Sequence, residues 1–82
     1  MVKVYDAQQY YDRYTIYYGK VDRVSGFHNC IVASENFDSP GGVYQHSTGQ
    51  TGPHNGKRIT LKDLPEKLRD YVTAELKNIG EL

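Results

Sequence analysis

The 82-residue chain holds one cysteine and three histidines, the side chains best suited to metal or nucleophilic chemistry. His28 and Cys30 are two residues apart, so on a strand both would point to one side. His46 and His54 would then complete four zinc ligands. The close ligand pairs of familiar zinc sites are missing, however, and His46 and His54 fall in a glycine-rich stretch where solvent alone accommodates them. As a nucleophile, Cys30 would need a histidine base. It lies instead in the apolar run 29–33, where a buried thiol is inert and packs as a small hydrophobe. Neither a metal nor a cofactor is expected.

Residues 49–58 combine glycines with Lys57 and Arg58, which suggests a loop that cradles anions. It is not a Walker A loop: Thr51 and Arg58 stand where glycine and a magnesium-binding hydroxyl are needed. The segment also leads into a strand, so no helix N-terminus would face a phosphate. A looser nucleotide or anion site on backbone N–H groups remains an alternative. Tyrosines interleaved with Arg13, Lys20 and Arg23 could stack single-stranded bases, but Asp6, Asp12 and Asp22 cancel those cations. Tyrosine serves equally in a thin sheet, with its ring buried and its hydroxyl wet, or as an anchor of a protein interface. The carboxylate pairs Asp63 with Glu66 and Glu35 with Asp38 read as capping and loop solvation. No coherent catalytic set emerges, and the chain is not expected to be an enzyme.

These side chains must be carried by one small domain. Ten Lys and Arg balance ten Asp and Glu, which argues against the basic stripe of a nucleic-acid binder. A single thiol excludes an internal disulfide and suits a reducing cytosol better than secretion. No apolar run approaches the roughly 20 residues of a membrane helix, and no signal-peptide core is visible.

The organising element is the tyrosine-rich stretch 10–18, expected as the central strand, with Tyr14, Ile16 and Tyr18 on one face and Arg13, Thr15 and Tyr17 on the other. Residues 2–5 predict a first strand joined to it by a hairpin. Residues 29–33 predict a buried strand, with Cys30 and Val32 on one face and Ile31 and Ala33 on the other. Residues 34–55, punctuated by Pro-Gly, Gly-Gly and Gly-Pro pairs, predict a long loop in which only 43–46 could be a strand. Residues 58–61 predict a short last strand. Leu64, Leu68, Tyr71, Val72, Leu76 and Ile79 recur at three- and four-residue intervals, the pattern of an amphipathic helix over 64–79. Its N-cap is Asp63 with Glu66 as capping-box partner, or Leu64 if Pro65 is the first helical residue. Gly80 suits its end. The fold expected is α+β: a small, mostly antiparallel sheet of four or five strands with one C-terminal helix packed on it.

Five segments recur in a familiar order: Tyr5-Asp6; Asp12-Arg13-Tyr14-Thr15; Ser34-Glu35-Asn36 through Pro40-Gly41-Gly42 to Gln45-His46; Gly56-Lys57-Arg58-Ile59; and Asp63-Leu64-Pro65. The set resembles small, largely uncharacterised proteins encoded by bacteriophages, prophages and related elements, over nearly the whole chain. The turn Asp6-Ala7-Gln8-Gln9 departs from the Asp-Asn-Gly-Gly typical of them. The resemblance implies a phage or mobile-element setting and no particular activity. Small domains of that setting often bind a host protein, anti-CRISPR and other counter-defence inhibitors among them. The function expected is therefore binding of a host or phage protein, through the 34–55 stretch and exposed tyrosines. Arg13, Tyr17, Tyr44, His46, His54, Lys57 and Arg58 are the candidate binding residues. The alternative is a small nucleic-acid- or nucleotide-binding domain using the glycine-rich loop and the Arg, Lys and Tyr side chains. A homodimer formed at a sheet edge near 29–33 is also expected to be accessible.

Overall fold

The computed structural model describes residues 2–82, apart from the side chains of Gln45 and His46. Five strands form one sheet: β1 (Val2–Asp6), β2 (Tyr14–Tyr18), β3 (His28–Ala33), β4 (Val43–Gly49) and β5 (Lys57–Ile59). Their order is β4-β3-β2-β1-β5 and every pairing is antiparallel. A single helix, α1 (Glu66–Asn78), follows. The fold is thus the small α+β sheet-and-helix arrangement expected. No helix among the described residues is long and apolar enough to cross a membrane.

The middle strand is β2, and all five of its residues are buried. Alternation sends Tyr14, Ile16 and Tyr18 to the helix side, where they join Val4, Ile31 and Ala33 and the helix residues Leu68, Val72 and Leu76 in one core. The tyrosine stretch is nevertheless shorter as a strand than its composition suggests. Tyr10 and Tyr11 lie in the β1–β2 loop, which Ala7 N–H closes onto the Arg13 carbonyl at 2.7 Å. Gln8 and Asp12 adopt left-handed backbone there, with φ of 56° and 49°, outside the extended region of a regular strand.

Residues 34–55 are not one long loop, because β4 takes seven of them. Ser47, Thr48 and Gly49 read locally as turn residues. Pairing with β3 overrides that preference, with Cys30 opposite Ser47, Asn29 opposite Thr48 and His28 opposite Gly49. Gly49 fits because a Cβ there would lie 3.4 Å from the Tyr17 hydroxyl. Strand β3 consequently sits between β2 and β4 and is not an edge; the edges are β4 and β5.

The helix begins later than its periodicity suggests. Leu64 is extended (φ −69°, ψ 149°), as the residue before a proline prefers to be. Pro65 is the N-cap. Asp63 caps backward instead: its Oδ2 accepts from the Thr60 N–H at 2.9 Å and from the Thr60 hydroxyl at 3.0 Å, closing a 3-10 turn over Leu61–Asp63. At the other end Gly80, with φ 80°, forms a Schellman motif. Glu81 N–H donates to the Leu76 carbonyl at 2.8 Å and Gly80 N–H to that of Lys77 at 3.2 Å.

Candidate functional site

With α1 on one side, the opposite face of the sheet is left to side chains of the other parity. The registers place them in rows. Arg58, Tyr5, Thr15, Val32 and Tyr44 lie side by side across all five strands, and Lys3, Tyr17, Cys30 and Ser47 form the next row. Tyr44 is 51% exposed. The Arg58 guanidinium stacks over the Tyr5 ring, 5.5 Å from its centroid. Tyr5 in turn meets Tyr17 edge-on at 5.8 Å.

The middle of this face is capped by residues 50–55. The Tyr17 hydroxyl lies 2.9 Å from the Gln50 carbonyl oxygen and 3.1 Å from Asn55 Oδ1, so its one proton anchors the segment from below. Asn55 Oδ1 also accepts from the Gly52 N–H at 2.9 Å, and the segment folds as a 3-10 turn over Pro53–Asn55. Tyr17 is left 2% exposed, and burial pushes its phenol pKa upward. It is a structural post beneath the loop, which corrects its expected place in a binding surface.

Between this cap and the β1–β2 loop runs an open groove of about 440 Å³, with Thr15, Tyr17, Cys30 and Val32 along the strands and Asp12 and His54 from the flanking segments. Burial pushes the Cys30 thiol pKa up, so the sulfur is held in its protonated, unreactive form at neutral pH. Among the described residues no three His, Cys, Asp or Glu side chains come together as metal ligands.

Arg13 is also absorbed by the scaffold. Its guanidinium grips Asp6 with two bonds, Nε to Oδ1 at 2.9 Å and Nη2 to Oδ2 at 3.1 Å, and reaches Glu35 Oε1 at 2.9 Å through Nη1. The Asp6 pair holds the Arg13 pKa above its ordinary value. Asp6 is lowered mainly by that bond; burial opposes the effect, and the Gln8 N–H and Lys57 add to it. The same corner is tied by Glu35 N–H to the Tyr10 carbonyl at 2.7 Å and by Asp12 N–H to Ser34 Oγ at 3.3 Å.

Of the remaining candidates, Tyr44, His54 and Arg58 are exposed, and register puts Tyr44 and Arg58 on the face away from α1. Lys57 is exposed, pairs with Asp6 on β1 and has the parity opposite to Arg58. The His46 side chain lies outside the described residues. Sequence reasoning passed over Tyr5 and Val32, which complete the row between Arg58 and Tyr44. Their alternation within short strands was the available signal. Compared with known protein families, curated proteins and solved structures, the chain matches none of them.

Proposed function

We propose that this chain is a non-enzymatic binding protein that engages another protein through the sheet face opposite α1. Following the resemblance of its motifs, its setting is a phage or mobile element acting in a bacterial cytoplasm, and its partner is a host or phage protein, as for counter-defence inhibitors of the anti-CRISPR kind. The observation that carries the reading is Tyr44, 51% exposed on a fixed strand and in one row with Val32, Tyr5 and Arg58. Tyrosine and arginine beside apolar surface are the composition of interface anchors. A strand also presents them already ordered, which lowers the entropy lost on association.

The test is affinity capture from bacterial lysate with wild-type chain and a Tyr44→Ala/Arg58→Ala variant across a salt series. The expected result is one discrete protein retained by wild type, lost with the variant and only weakly sensitive to salt. Equal capture by both chains would overturn the reading. Nuclease-sensitive binding that falls steeply with salt would replace it with nucleic-acid binding, since phosphate contacts depend on released counterions.

A further inference from the structure

The β2–β3 connection, residues 19–27, is a hydrogen-bonded turn that presents apolar side chains to solvent. Asp22 Oδ1 accepts from the N–H groups of Val24 at 2.8 Å and Ser25 at 2.9 Å. Gly26 N–H donates to the Asp22 carbonyl at 2.7 Å, and Asp22 N–H to that of Phe27 at 2.9 Å. From β4's end, Gln50 Nε2 donates to the Ser25 carbonyl at 2.6 Å. Held this way, Val24 is 99% exposed, Val21 46% and Phe27 42%. Isolated apolar residues at a surface need no explanation. Here Val21 and Phe27 line one depression together with Lys20, and Val24 is exposed on the same turn.

Around them three cations face two carboxylates, Asp22 and Glu81. Lys3, Lys20 and Arg23 border an open depression of about 600 Å³ that also includes Val21 and Glu81. None of these cations has an ion-pair partner among the described residues. The two carboxylates keep their charge but turn oxygens toward the backbone: Asp22 Oδ1 holds the turn, and Glu81 Oε1 accepts the Gly19 N–H at 3.1 Å, whereas the three cations have no such partner among the described residues.

We infer that this corner docks an acidic polypeptide segment of another protein, with carboxylates on Lys3, Lys20 and Arg23 and apolar side chains on Val21, Val24 and Phe27. A nucleic acid would satisfy the cations but leave Val24 without a partner. The site lies at the far end of β2 and β3 from the Thr15–Val32–Tyr44 row, so it stands or falls independently of the function proposed above.

The experiment is an amide NMR titration of the full chain with a dodecapeptide of Glu and Asp interspersed with Leu and Phe. An oligothymidylate and phosphatidylglycerol vesicles serve as comparators. Shifts should be confined to Lys3, residues 19–29 and Glu81. Affinity should fall roughly tenfold or more in Lys20→Glu/Arg23→Glu and also in Val21→Ser/Val24→Ser, while Tyr44→Ala binds the peptide as wild type does. All four substituted side chains of the double variants are exposed, so both variants should fold, and thermal melts verify it. Absence of shifts at millimolar peptide would overturn the inference. So would an apolar double variant that binds normally, or tighter binding to the oligonucleotide or vesicles.

Discussion

Arg13 shows how a residue that looks like a recognition group becomes part of the frame. One guanidinium joins Asp6 at the end of β1 to Glu35 after β3, and its bidentate geometry with Asp6 is the strong form of such pairing. Arg13→Ala should therefore destabilise the fold by about 1–2 kcal/mol in urea denaturation, above the usual range for exposed pairs. The same pair sets an acid limb of stability. Asp6 has a folded pKa below its ordinary 3.8, so its contribution is complete above about pH 4 and is lost as pH falls through the lowered value. Asp6→Asn should flatten that limb in denaturation measured from pH 5 to pH 2, without abolishing it, because Asp22 and Asp63 are lowered as well. At Tyr17, removing the hydroxyl leaves Gln50 and Asn55 without their anchor. Tyr17→Phe should cost about 1–2 kcal/mol and raise amide exchange at residues 50–55. The exposure of neither residue was legible in sequence. Arg13 finds its carboxylates seven and twenty-two positions away, and the cap over Tyr17 comes from more than thirty residues downstream.

Among the elements, the helix was the most legible because its periodicity is local and unbroken. Leu68, Val72 and Leu76 are each almost wholly buried. Leu76→Ala should cost about 2–5 kcal/mol, a large share of the roughly 5–15 kcal/mol expected for a domain; its thermal midpoint would report this. Strand faces were legible too: alternation grouped Tyr14 with Ile16 and Ile31 with Ala33, and packing against α1 turns both groups inward. What escaped was β4, whose Ser-Thr-Gly end is a strand only because β3 supplies the ladder. The motif glycines belong to the same scale. Gly56 has φ 79°, and a Cβ there would come within 2.5 Å of the Asp6 carbonyl oxygen and 2.6 Å of Ala7 Cα. Both contacts are backbone and cannot rotate away, so Gly56→Ala should lower stability by more than the 1 kcal/mol usual for a strained glycine site, with loss of β5 protection in hydrogen exchange. Asp6, Arg13, Ser34 and Gly56 thus meet at one end of the sheet, where they hold neighbouring segments together.

Seen whole, the molecule has a covered face, a partly open face and two unlike edges. Edge β5 is three residues long and carries Lys57 and Arg58, while β4 runs seven residues without a formal charge. Charged, short edges resist strand addition and long neutral ones invite it, so β4 is the edge at which a partner strand or a second copy would pair. Light scattering at rising concentration would show that association as growth in mass. Tyr44 belongs to this same strand, which joins the edge to the open face. The most direct test is a photo-crosslinking amino acid placed at position 44 in the full chain expressed in bacteria, with one at the exposed Asp70 of α1 as control. The account predicts a discrete protein adduct from position 44 and none from position 70. Adducts of equal yield from both positions, or none from position 44, would contradict it.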